Sequence, residues 1–200
     1  MSTSKARKKW DDAARGFDFM NSRGPERRWG PLKRELFAPM QGKVFFLAVG
    51  TGLDIQFFPP QQDVIGIDFS PRMLERAQPR AAAYDGQIEL RDMDAQHLDF
   101  ADDTFDQAYT SCTFCSVPDP VQGLRELRRV LKPGGTLRMF EHTGSRWFPF
   151  NVMLQMMNPI AHKFGPDITR DTPANVREAG FQDVRVRNVY LDIVRMIEAA

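Results

Sequence analysis

Residues 44–68, VFFLAVGTGLDIQFFPPQQDVIGID, decide the fold. A six-residue apolar run, Val44 to Val49, ends at Gly50-Thr51-Gly52, and a second run, Val64 to Ile67, ends at Asp68. Continuous β-branched and aromatic runs fit parallel strands covered on both faces. The glycines let the backbone turn sharply and approach a ligand with no Cβ in the way. Asp68, at the carboxyl end of the second strand, can accept the two hydroxyls of a ribose. Strand, glycine turn, helix, strand, acid is the layout of a nucleoside-binding α/β domain.

The spacing argues against a dinucleotide. That fingerprint wants G-x-G-x-x-G opening a long helix, whereas Gly52 is followed by Leu53-Asp54-Ile55 with no third glycine. No G-x-x-x-x-G-K-[ST] occurs, which excludes a P-loop.

Four words in series carry a family resemblance: AVGTG (Ala48 to Gly52), VIGIDFSPRML (Val64 to Leu74), MDAQHLDFADDTFD (Met93 to Asp106) and LRELRRVLKPGGTLRMFEH (Leu124 to His142). Their order and content resemble the class I S-adenosylmethionine (SAM)-dependent methyltransferases, in particular the UbiE-like, type 11 group. The family pattern at the first strand is acidic-x-G-x-G-x-G. This chain has Phe46 in place of the acid and Ala48 in place of the first glycine. The words CSVPDP, FEHTGS and ITRDT most resemble small bacterial phosphatidylethanolamine N-methyltransferases and membrane-associated alkyl thiol S-methyltransferases.

The chain has 200 residues, 42% hydrophobic and 26% charged, enough for one domain with a sizeable core. Net charge is +1, too little to hold nucleic acid by charge. Its distribution is uneven: residues 1–34 carry ten Lys/Arg against four Asp/Glu, about +6, leaving about −5 for the remainder. No apolar run reaches the 18 residues of a membrane span, and the charged start lacks a signal-peptide core, so a cytoplasmic protein is expected, on the membrane inner face if the basic segment binds lipid. Cys112 and Cys115 form a C-x-x-C without a second ligand pair, read as small residues lining the site rather than as a zinc or redox centre. No metal is expected, and nothing in the sequence fixes the oligomeric state.

Residues 3–20 read as a helix with Trp10, Ala14, Phe17 and Met20 near one face, either an amphipathic segment that lies on an anionic membrane or closes over the cofactor, or a surface helix packed on the domain. Asn21 to Pro25 reads as a break. Helical character resumes over 25–38, interrupted at Gly30-Pro31. Strands are expected at about 43–49, 63–68, 87–91, 105–110 and 136–141, and helices at 71–82, 119–131 and 172–179. Ser70 with Pro71 is a helix start, and Pro133-Gly134-Gly135 a helix end. Alternation at this spacing implies a mainly parallel sheet. The expectation is a doubly wound, Rossmann-like α/β domain of seven strands with N-terminal helices. The last two strands fall at about 181–188 and 189–196, the final one antiparallel by the resemblance. Residues 1–40 form a helical cap and 41–200 the methyltransferase domain.

The resemblance implies that Ala48, Gly50, Thr51 and Gly52 meet the methionine end of SAM through backbone groups, and Asp68 the ribose diol. Phe69 and Met73 sandwich the adenine, Asp94 with Ala95 receives its amino group, and Thr110 and Ser111 face the sulfonium. His142, at the end of the fifth strand, is the candidate base; its other reading is a residue that shapes the pocket. The apolar insert from Trp147 to Ile160, including Met153 and Met157, reads either as a lipophilic substrate pocket or as a core helix. Arg170 can hold a phosphate or an acid. The leading reading is methyl transfer to a lipophilic amine, a phospholipid headgroup, at an anionic membrane surface and without nucleic acid. The alternatives are a thiol, quinone or natural-product methyltransferase, and a SAM-binding relative that has lost catalysis.

Overall fold

The computed structural model describes residues 3–21 and 24–200, and Met20 is among the side chains outside the described set. Two helices, α1 (Thr3–Asn21) and α2 (Gly24–Phe37), precede the sheet domain. The break expected between them lies mostly on residues 22 and 23, outside the described residues, and α2 already begins at Gly24. Gly30-Pro31 does not interrupt α2, which runs through Pro31. Packing overrides the local signal here: Leu36 and Phe37 are buried, and Trp29 and Leu32 pack on the same core.

Seven strands form one sheet: β1 (Lys43–Leu47), β2 (Asp63–Asp68), β3 (Gln87–Asp92), β4 (Phe105–Ser111), β5 (Leu131–His142), β6 (Arg185–Tyr190) and β7 (Val194–Ala199). Their order is β3-β2-β1-β4-β5-β7-β6. The pairs from β3 to β5 are parallel, and β7 runs antiparallel to both neighbours. The helices are α3 (Pro71–Ala82), α4 (Pro120–Val130), α5 (Phe150–Phe164) and α6 (Thr172–Glu178), with a 3-10 turn at Leu53–Phe57.

Two expected boundaries shift. Strand β5 starts at Leu131 rather than 136, because Leu131 turns extended directly after α4 and pairs with Phe105 across a bulge. Gly134, with φ +76°, kinks the strand instead of merely ending the helix. The last two strands lie several residues later than expected. The tight turn between them falls at Leu191, with φ +49°, where no glycine marks it.

The unbroken apolar run of β1 has a simple cause. Phe45 and Leu47 enter the core on one sheet face, with Leu124, Leu127, Val130 and Val176 of α4 and α6. Val44 and Phe46 enter the other, with Phe37, Phe58 and Ala77. Burying each such side chain contributes roughly 1.5–3 kcal/mol. Phe46 is 1% exposed, with the rings of Phe37 and Phe58 at 5.6 and 5.2 Å. An acid there would be stranded in an aromatic cluster.

Ser70 caps α3 by accepting the Met73 N–H, Asp119 caps α4 through Gln122, and Asp171 caps α6 through Ala174. Each cap is worth about 1 kcal/mol. The first two also fix strand-to-helix loops on the carboxyl edge of the sheet, where a ligand crevice forms.

Candidate active site

Strand β1 ends at Leu47, two residues short of the apolar run, because Ala48 turns left-handed at φ +58°. Gly50 and Gly52 follow at φ +58° and +80°. A Cβ on Gly52 would meet Ile55 and Ala77 at 3.0 and 3.2 Å, so that glycine serves packing of the turn against α3. A Cβ on Gly50 would meet nothing within 4 Å: it faces open space.

That space is a cavity of about 460 Å³ on the carboxyl edge of the sheet. The sequence-predicted residues Ala48, Gly50, Thr51, Asp68, Phe69, Met73, Asp94, Ala95 and Ser111 all line it. Both cysteines line it as well, and both are free. Burial pushes the Cys115 thiol to about 12 and the Cys112 thiol higher still, so both are neutral thiols at pH 7. The accessible surface of Cys112 opens into the cavity.

Asp68 is 6% exposed. Its Oδ2 accepts the Gly50 N–H and its Oδ1 the Ser70 N–H, each at 2.9 Å. Burial raises its pKa to about 6 against the pull of those two bonds. Asp94 accepts the Gln96 N–H and Nε2 at 3.0 Å, and Gln96 Oε1 in turn accepts the Asp119 N–H at 2.9 Å. Gln96, missed in the sequence, thus orients Asp94 and ties it to the α4 cap. Ser111 Oγ is buried without a hydrogen-bond partner among the described residues, and Ser111 lines the cavity wall.

Several predicted residues sit elsewhere. Gly52 and Thr110 are not in the wall. The Thr110 hydroxyl donates to Glu141 Oε1 at 2.7 Å, and Glu141 also accepts the Thr113 and Phe114 N–H groups. Glu141 is fully buried, and its pKa rises to about 7 through burial, opposed by these bonds. It shapes the loop after β4 rather than touching the cavity. The expected grip of the glycine turn on a carboxylate is also corrected in part: the Gly50 amide is given to Asp68 and the Gly52 amide to the Val49 carbonyl.

His142, the candidate base, is not among the residues that line the cavity. It pairs with Val194 across β5 and β7 and has its pKa lowered by burial. Arg170 is likewise not presented to a substrate: its Nη1 donates to the Phe114 and Val117 carbonyls, pinning the loop that closes one wall. Met153 and Met157 are 44% and 51% exposed on the outer side of α5, away from the cavity, because the buried contact of that helix is made by Leu154.

Helix α1 crosses the cavity. Trp10 and Phe17 line it, and Ala6 and Ala14 are buried. Its acids fasten it. Asp18 accepts from Thr51 Oγ1 at 2.6 Å and Arg80 Nη2 at 2.9 Å, and Asp11 accepts from Ser70 Oγ at 2.5 Å. Arg7 pairs with Asp92, and Lys9 Nζ donates to the His162 carbonyl at 2.9 Å. Trp29, Lys33 and Asp54 complete the wall with Phe140. No sequence signal distinguished Trp29 and Lys33 from surface residues, since only the docking of α2 turns them inward.

A profile of the methyltransferase domain family matches residues 47–139. A ubiquinone/menaquinone biosynthesis C-methyltransferase, UbiE, of Geotalea daltonii is 31% identical over 94% of this chain and 93% of its own length. A phosphatidylethanolamine N-methyltransferase of Cereibacter sphaeroides is 38% identical, over 50% of this chain and 51% of its own. Among solved structures, a SAM-dependent methyltransferase of Thermotoga maritima superposes with a TM-score of 0.68. It is 20% identical over 96% of this chain and 99% of its own.

Proposed function

The chain belongs to the class I SAM-dependent methyltransferases, and from that premise we propose that its acceptor is a lipophilic ring of the quinol type rather than a phospholipid headgroup. The residues present fit the cofactor: a buried acid at the β2 end, an acid at the β3 end and an orphaned serine hydroxyl at the β4 end share one crevice. Asp68 would hold the ribose diol, Asp94 and Ala95 the adenine edge, and Phe69 and Met73 its faces. SAM, when bound, supplies a methyl group already activated on its sulfonium. The protein then aligns the acceptor and excludes water. Helix α1 does the excluding, with Trp10 and Phe17 over the cavity. The cap function of residues 1–40 is part of this proposal.

The observation that carries the acceptor class is the free wall beside the β4 and β5 ends. Trp29, Phe140, Cys112 and Pro166 offer ring faces and apolar surface. The arginine that would have held a lipid phosphate, Arg170, is spent on two backbone carbonyls. The full-length similarity to a quinone C-methyltransferase supports the same direction.

A membrane supplies such an acceptor. No helix among the described residues is long and apolar enough to cross one. Helix α5 instead presents Met153, Met156, Met157 and Ile160 outward, with Trp147 and Phe148 exposed just before it. Residues spaced 3, 4 and 7 apart share one helix face. His162 and Lys163 end that helix, and the exposed Lys5 and Lys8 of α1 lie close by in sequence to Lys9, which is bonded to its last turn. An apolar stripe edged by lysines suits an anionic bilayer.

The test is transfer of labelled methyl from SAM to a demethylated quinol in vesicles, beside phosphatidylethanolamine vesicles and a soluble alkyl thiol. Label in the quinol alone is expected. Label in the phospholipid or the thiol alone would replace the quinol assignment with that acceptor.

A further inference from the structure

The cavity wall carries four charged side chains among the described residues: Lys33, Asp54, Asp68 and Asp94. Lys33 is the single cation. Its Nζ donates to Asp54 Oδ1 at 2.5 Å, with the two side chains 19% and 11% exposed. Lys33 comes from α2, and Asp54 from the 3-10 turn two residues beyond Gly52. A pair this dry gives little net stability to the fold, since desolvation offsets most of its attraction. Its position in a ligand cavity suggests another use.

The sheet order provides an address line along the crevice. Asp94 follows β3, Asp68 ends β2, the glycine turn and Asp54 follow β1, and Ser111 and Cys112 end β4. An adenosine held at the first two positions places the amino-acid end of the cofactor over the third. That end is a zwitterion, and an apolar-walled cavity must match both of its charges. Two groups able to do so are taken. The acid of the family pattern is replaced by Phe46, buried among aromatic rings. The Gly50 and Gly52 amides bond within the protein. Asp68 and Asp94 are each held by two donors at the adenosine end.

We propose that Lys33 and Asp54 form the receptor for the amino-acid end of SAM, Lys33 taking the carboxylate and Asp54 the ammonium. The pair is neutral as a whole and so is the zwitterion, so docking exchanges one set of charge contacts for a fuller one without leaving a buried charge alone. This inference rests on the cofactor placement given above.

Calorimetric binding of S-adenosylhomocysteine and of 5′-methylthioadenosine, which lacks the amino-acid end, tests it. Lys33→Met should weaken S-adenosylhomocysteine by roughly tenfold or more, as expected for one charged hydrogen bond. It should leave methylthioadenosine within about twofold of the wild type, which also shows that the variant is folded. Asp54→Asn should show the same split, and Lys33→Arg should retain most of the affinity. Equal loss of both ligands would make the pair a purely structural clasp, and unchanged S-adenosylhomocysteine binding would place the carboxylate elsewhere; either overturns the proposal. A wild-type protein that bound neither ligand would overturn the cofactor placement itself, a result distinct from both.

Discussion

Asp68 accepts two backbone N–H bonds and still titrates near 6, against an ordinary value of 3.8, because burial outweighs them. The folded pKa is raised, so the ionised form burdens the fold. The burden is absent below about pH 4 and complete above about pH 6, worth up to ~3 kcal/mol by the size of the shift. A ribose diol donating to the carboxylate reverses this by stabilising its charge. SAM binding should therefore release a proton and tighten as pH rises through 6, then level off. Calorimetry at pH 5.5 and 8 in buffers of different ionisation enthalpy reads both effects. Asp68→Asn should bind more weakly and lose the pH dependence; a wild-type affinity flat between those pH values would remove Asp68 from the diol. That Asp68 and Asp94 would face the cavity was legible in the sequence because one ends a strand and the other follows a strand by two residues, where the chain itself dictates position. Lys33 and Asp54 were not, because a lysine within a helix points wherever that helix docks. Ala48 was legible as a departure, and its left-handed φ of +58° shows that the turn demands the glycine geometry even where the glycine is missing.

At the scale of elements, pattern predicted existence better than orientation. The stripe at Met153, Met156, Met157 and Ile160 announces a helix face, but periodicity does not say whether the face meets a cavity, a core or solvent. The structure turns it outward. For α1 the structure bears out packing on the domain, and lipid contact stays a proposal for its exposed side. Its acids bind α3 and the glycine turn while Lys5 and Lys8 stay exposed. Of its fastenings, the partly buried Asp18 bonds to Thr51 and Arg80 should dominate. The more exposed Asp12–Arg72 pair, at 3.7 Å and with half or more of each side chain in water, should contribute little. Asp18→Ala should speed release of SAM by roughly 5- to 10-fold, the loss of about 1 kcal/mol or slightly more. Melting should barely change, since the core is untouched. Stopped-flow fluorescence of the cavity-lining Trp10 follows the release. Unchanged release from Asp18→Ala would mean that α1 is held by its apolar contacts alone. Helix α2 is a different matter: Leu36 and Phe37 belong to the core, so the covering role belongs to α1.

For the whole molecule the uneven charge finds its explanation in use. Part of the excess over residues 1–34 docks the N-terminal helices: Arg7 on Asp92, Lys33 on Asp54, and Arg28 over the Tyr190 ring at 4.2 Å. Lys5 and Lys8 of α1 stay exposed, and their neighbour Lys9 is bonded to the last turn of α5, the helix whose apolar stripe faces water. Each lysine near an anionic surface adds about 1 kcal/mol of attraction, screened as the Debye length falls from about 10 Å at 0.1 M salt to about 3 Å at 1 M. The apolar stripe adds a part that salt does not screen. Co-sedimentation with anionic vesicles should therefore separate the two. The wild type should bind at low salt and retain a fraction at high salt. Lys5→Glu with Lys8→Glu should remove chiefly the salt-sensitive fraction, and Met156→Glu with Ile160→Glu the salt-resistant one. All four positions lie outside the cavity wall, so SAM affinity should stay at the wild-type value. Methyl transfer to a vesicle-embedded acceptor should then fall in the α5 variant while transfer to a short-chain, water-soluble analogue of it does not. That split is the signature of a surface that delivers substrate rather than one that builds the catalytic site. Equal rates on both acceptors in every variant would return the α5 stripe to the status of ordinary exposed surface.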